Sequence, residues 1–434
     1  MKVISEKNFK DKISHLKTYS NSVGIEKNWF VSNDEKMMAT IIYDLNDRDF
    51  VCVFFAVDKN RTFQFFDVIT SIKSYHEGIN LISNKFGEII KKRNLFIEIS
   101  DKNNLNPRFK RISECQQSAP ARILLQEVFN SYNDKDGNFL EQLQTSGFDA
   151  RIFELYLYAY FSEEGYKIIN TSSPFPDFCI EQNEVRVGIE AVTANPAMFS
   201  IQNIKNTQKN TDDYFHEEAI IKFAEVLTKK FHKKYWENSD CKNLPFVIAI
   251  EDFHKNDSLI YSFNALFTYL YGIDSKLNIP EKNEWTYRIN NIDEHIFENK
   301  KISLNFFRYP DAENISAVMF TNAGTYAKFN RMAYQAGYGK NALKMERSGL
   351  CYSLDPDSLK PDIFSYNVGN PSWIEPWGQG LIILHNPTAK FPLPIGYFKD
   401  ACEYYFENAE LKMLSPKFHP INSKTITTVI KSKC

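Results

Sequence analysis

The run Phe246-Val247-Ile248-Ala249-Ile250, opened by Pro245 and closed by Glu251-Asp252, is the feature that most restricts the fold. It is too short for an apolar helix and has no polar face, so it reads as a strand buried on both sides. Helical patterns stand around it. The segment Asp149–Glu164 is apolar almost all round and must be buried, and His216–Trp236 is a charged amphipathic helix. Strand-like runs at Tyr166–Thr171, Phe178–Glu181 and Val185–Thr193 lie between the two helices, which gives the order α-β-β-β-α-β. The expected class is α/β, mixed α+β over the whole chain, with a central mixed sheet flanked by helices.

At 434 residues the chain is long enough for two or three domains. Short β runs at Thr40–Tyr43, Phe50–Ala56 and Thr62–Ile69 suggest a meander, and a helix is read near Gly78–Lys92. Residues 1–115 are therefore expected to form an N-terminal α+β domain. A core over 116–335 follows, with a helical insertion at about 254–301, and 336–434 is expected to be a Pro-rich C-terminal extension packed on that core. Further helices are read at Ala119–Asn130, Leu259–Tyr271 and Thr325–Ala336, and further strands at Ile315–Thr321 and Gly380–Leu384. The 52 Lys and Arg against 54 Asp and Glu exclude a polycation, so nucleic-acid contact requires a local basic face. Seven scattered cysteines without a C-x-x-C pair argue against a disulfide scaffold or zinc site. No membrane span or signal segment is read, and a reducing cytoplasm is expected.

Three carboxylates stand in apolar settings. Glu154 lies within Ile152-Phe153-Glu154-Leu155-Tyr156, Asp177 follows Pro176 at the start of a strand, and Glu190 alternates with Ile189 and Ala191. Burying such charges unpaired costs several kcal/mol each, roughly. Convergence on a divalent cation removes that cost and suits phosphodiester hydrolysis. The plainer alternative pairs Glu154 with Arg151, lets Asp177 cap a turn and turns Glu190 to solvent.

Pro176-Asp177, with Glu190 thirteen residues on and Glu154 on the first helix, resembles the PD-(D/E)XK nuclease superfamily over roughly Phe148–Phe253. The strings QTSGFDARIFELYLYA, EAVTANP, LPFVIAIEDFH and TNAGTYAKFNRMAYQAG are similar to an uncharacterised bacterial branch carrying that core. The resemblance implies a restriction-endonuclease-like fold and Mg²⁺ or Mn²⁺ held by Asp177, Glu190 and the Ala191 carbonyl, with Glu154 in support. The motif lysine should stand two residues after Glu190, where the chain has Val192. The following helix offers Lys222, Lys229 and Lys233 along one stripe, and Lys229 is the expected catalytic stand-in; otherwise the loss marks an inactive nuclease fold that only binds nucleic acid or a protein.

The same helix carries Lys230 and Lys234 beside Tyr235 and Trp236, a combination suited to phosphate contact and base stacking, so Lys222, Lys230 and Lys233 are candidate nucleic-acid contacts, or else part of a solvated helix face. Asn322-Ala323-Gly324 between a strand and a helix bearing Lys328 and Arg331 is a candidate phosphate cradle, or else a tight strand-to-helix packing. Asp134–Asn138 lacks the carboxylates of a calcium loop and reads as a turn. The expected function is a metal-dependent endonuclease acting on DNA rather than RNA, the resemblance implies a place in bacterial genome or phage defence, and a homodimer stays open.

Overall fold

The computed structural model describes residues 1–13, 24–57, 62–86, 94–134, 137–169, 171, 176–195, 211–255, 258–278, 286–355, 358 and 360–430. The N-terminal unit comprises β1 (Lys2–Ile4), α1 (Glu6–Ile13), β2 (Gly24–Val31), β3 (Met37–Asp44), β4 (Phe50–Val57), β5 (Phe63–Ile72) and α2 (Tyr75–Lys85). Its strands pair antiparallel in sequence order, which extends the meander read from the sequence to five strands. β3 and β4 are apolar on both faces because both are covered. Met38, Ile42, Val53 and Phe55 meet Phe9 and Ile13 of α1, while Ile41, Cys52 and Phe54 meet Ile82 of α2. The Ser74 side chain accepts the Glu77 N–H and starts α2 three residues before the expected Gly78. The far end of that expected helix, 87–92, lies outside the described residues.

Next come α3 (Pro107–Glu114), α4 (Ala119–Ser131), α5 (Phe139–Gln144) and α6 (Phe148–Glu163). Leu95, Leu105, Phe109 and Ile112 share one apolar cluster with α4 and α6, so the main core begins before residue 115. Asp134 accepts the N–H groups of Gly137 and Phe139 and acts as a turn residue. The chain continues through β6 (Lys167–Ile168), β7 (Phe178–Gln182), β8 (Val185–Ala194), α7 (Thr211–Phe231), β9 (Phe246–Asp252) and α8 (Ser258–Tyr271). The order α-β-β-β-α-β is thus present from α6 to β9. Where a helical insertion was expected, α8 gives way to two hairpins, β10 (Ile273–Asn278) with β11 (Thr286–Asn291) and β12 (Glu294–Phe297) with β13 (Lys300–Ser303).

The remaining elements are β14 (Ala317–Thr321), α9 (Tyr326–Gln335), β15 (Leu343–Cys351), β16 (Asp362–Asn367), β17 (Leu381–His385), β18 (Cys402–Glu407), β19 (Glu410–Leu414) and β20 (Pro420–Val429). The central sheet has eight strands in the order β19-β18-β17-β14-β9-β8-β7-β6. β8, β9 and β14 run parallel, whereas β7 and β17 run antiparallel to their neighbours among these three. Residues beyond 336 therefore supply β17, β18 and β19 to the sheet itself, and β15, β16 and β20 form a separate antiparallel sheet. All of Phe246–Asp252 is buried. Val247 and Ala249 face the α4 and α6 side, and Phe246, Ile248 and Ile250 face α7 and α8, which is the two-sided burial its sequence requires. No helix among the described residues is long and apolar enough to cross a membrane.

Candidate active site

The antiparallel register of β7 and β8 pairs Phe178 with Ile189. Asp177, one residue earlier, thus arrives beside Glu190 and Ala191, and its Oδ2 accepts the Ala191 N–H at 2.8 Å. Glu190 points to the α7 side of β8 and is fully buried, contrary to the solvent-facing alternative. Its Oε1 accepts a hydrogen bond from the Lys230 ammonium at 2.5 Å, while its buried Oε2 has no hydrogen-bond partner among the described residues. Burial pushes the Glu190 carboxyl up to about 7, the negative charge of Asp177 adds to the rise, and Lys230 opposes it.

Glu154 approaches from α6 on the other flank of Asp177. Its Oε2 accepts hydrogen bonds from Arg151 Nη1 at 2.6 Å and from the Tyr132 hydroxyl at 3.2 Å. Arg151 is itself oriented by Gln142 through Nε at 2.9 Å. Burial pushes Glu154 up to about 7 as well, and Asp177 is again the second cause. Asp177 is therefore electrostatically common to both glutamates. The pairing of Glu154 with Arg151 is the one that the plainer alternative anticipated. Among the described residues, one trio of acidic ligand atoms lies mutually within 4.8 Å, that of Asp44, Asp47 and Asp49 at the β3–β4 turn; Glu154, Asp177 and Glu190 do not close to that distance as a trio.

Lys229, the expected stand-in for the motif lysine, is exposed, and its neighbour Lys230 makes the contact to Glu190. Helical phase explains the difference: seven residues after Phe223, Lys230 returns to within about 20° of that core-facing position, whereas Lys229 is rotated by a further 100° or so. The Lys230 and Lys233 ammonium groups lie 5.7 and 5.8 Å from the centroid of the Tyr235 ring. The Tyr235 hydroxyl lies close enough to Glu190 to lower its carboxyl, and that charge adds to the burial that holds the phenol above its ordinary range. Lys222 turns to Glu225, 3.6 Å away.

The expected phosphate cradle is filled. A Cβ on Gly324 would stand 2.5 Å from Glu251 Oε2 and 2.8 Å from the Phe153 ring, so the turn before α9 is a close packing of backbone on a buried acid. Lys328 and Arg331 do not reach a surface that nucleic acid could touch. Lys328 Nζ lies 2.8 Å from Glu375 Oε1, Arg331 Nε lies 2.7 Å from Glu375 Oε2, and Arg347 joins the same carboxylate at 3.2 Å. Burial moves Lys328 down to about 7 despite Glu375. Burial alone would raise Glu375, but the three cations hold it well below the ordinary carboxylate range.

Sequence reasoning missed the roles of Lys230, Tyr235 and Tyr132 around the acids. It also missed a buried pair on the same strand end, in which His254 Nδ1 lies 2.7 Å from Asp252 Oδ1. The helical phase of Lys230 was a usable signal, and Tyr132 at the end of α4 had none. No protein-family model, curated protein or solved structure matches the chain.

Proposed function

We propose that the chain is a metal-dependent nuclease that hydrolyses phosphodiester bonds of DNA at Asp177 and Glu190. The observation that carries this reading is half-buried Asp177 set beside fully buried Glu190 with Lys230 on it: two acids brought together, one sealed from water with an oxygen that has no hydrogen-bond partner among the described residues. Hard oxygen donors in such a place fit Mg²⁺ or Mn²⁺ better than they fit apolar packing. Asp177, Glu190 and the Ala191 carbonyl would hold the cation, which when bound supplies Lewis-acid polarisation of the phosphoryl group and a more acidic water.

The chain's own side chains do the rest. Glu154, fixed by Arg151 and Tyr132, would accept a proton from the attacking water at the carboxylate edge. Its position near pH 7 matches it to that task. Lys230 would leave Glu190 for the scissile phosphate and offset the charge that builds there, replacing the lysine that Val192 lacks. Tyr235 guides the ammonium along its ring face.

Duplex DNA incubated with the purified protein should be cut in Mg²⁺ and not in EDTA, and Asp177→Asn should abolish cutting while retaining binding measured by fluorescence anisotropy. Cutting by that variant at the parental rate would overturn the assignment. Binding without cleavage by the parent would favour the inactive binding module, and cleavage of RNA alone would replace the substrate.

A further inference from the structure

Three residues beyond the end of α7, Lys234 adopts a left-handed backbone, φ 47°, and the chain turns through Tyr235–Glu237. The turn drives Trp236 inward against Phe231 and Phe246. It also leaves Lys234 on the rim of a cleft of about 300 Å³ that is also lined by Lys242, Asp311, Lys390 and Phe391. That is room for a phosphate and its sugar. The charges within it are unbalanced. Lys234 Nζ lies 3.0 Å from Asp311 and 3.9 Å from Glu237, so one lysine answers both acids of the cleft. Lys242 and Lys390 make no ion pair among the described residues, and the Lys390 ammonium lies 5.5 Å from the centroid of the Phe391 ring. Two ammonium groups therefore face the opening without a counter-charge.

This cleft adjoins the candidate active site. Its wall includes Cys241, whose sulfur would stand 2.7 Å from a Cβ on Gly188, two residues before Glu190 on β8. From the site outward, Lys230, Tyr235, Lys233 and Lys234 lead to the rim. We propose that the cleft is a phosphate subsite, formed by Lys242 and Lys390, that seats the backbone of the DNA strand flanking the scissile bond. The proposal rests on the nuclease reading for its substrate. Its chemistry is the shared one of phosphate with two uncompensated ammonium groups, and it predicts a second anchor that sets which phosphodiester reaches Asp177.

The test combines Lys242→Ala with Lys390→Ala, both exposed positions, and measures duplex binding across a salt series in EDTA. Loss of two phosphate contacts should reduce the slope of log Kd against log salt by about 1.8, and KM for cleavage should rise. An unchanged slope and KM overturn the subsite while the Asp177→Asn result still decides the nuclease reading separately. In parallel, acetylation of Lys242 is followed by mass spectrometry. Protection by a duplex oligonucleotide is expected; protection by inorganic phosphate but not by the duplex would make the cleft a free-anion pocket and overturn the proposal. A slope change confined to duplex RNA would overturn the assignment to DNA.

Discussion

Replacing Glu190 with glutamine removes a buried charge and keeps the shape. The carboxyl rises from an ordinary 4.5 to about 7 in the folded chain, chiefly through burial. Between those values the native state binds more protons than the unfolded state, so the contribution of Glu190 makes stability fall as pH rises through the window, and the loss is complete above pH 7. A shift of this size corresponds to about 3 kcal/mol at roughly 1.4 kcal/mol per pH unit. The Lys230 contact already lies within that balance, and the released ammonium, 22% exposed, can rehydrate at a cost of about 1 kcal/mol or less. For the several hundred residues around the central sheet, an unfolding entropy near 0.7 kcal/mol/K converts the effect to about 4 °C. Thermal melting in EDTA should therefore show Glu190→Gln gaining about 4 °C on the parent between pH 5 and pH 8. With 10 mM Mg²⁺ the parent should recover about 1.4 kcal/mol for a Kd near 1 mM, and the variant should not. A melting difference that stays constant from pH 5 to pH 8 would refute the buried, cation-seeking carboxylate.

Lys230→Ala should lower the cleavage rate by roughly 10²–10³-fold, the scale of losing one preorganised electrostatic group, whereas Lys229→Ala should leave it unchanged; single-turnover assays on both variants separate the two neighbours. Glu375→Gln leaves Lys328, Arg331 and Arg347 buried without their shared anion, and denaturant melts should register a loss of about 3–5 kcal/mol.

The parts of the fold that could be read from the chain are those in which burial leaves no choice. β9 and α6 lack a polar face, and β8 and β7 follow the same logic, so their residues announce a covered sheet. β15 and β20 gave no such sign. Leu343 and Met345 alternate with Lys344 and Glu346, and Ile426 sits among threonines, because that small sheet exposes one face to water. The acids of the candidate site were visible as charges in apolar company. Which lysine serves them depends on helix phase, and the fate of Lys328 and Arg331 depends on Glu375, a residue far along the chain that no local pattern connects to α9.

The strand order has a consequence for synthesis. β14 lies between β9 and β17, yet β17 is translated about sixty residues later, after α9, β15 and β16. At roughly 5–20 residues per second, the ribosome holds β14 as a raw edge for several seconds, with its ladder groups unmatched. β15 likewise waits for β20. The sheet that carries Asp177 and Glu190 is thus completed on its far side only once β17, β18 and β19 have followed it out of the ribosome.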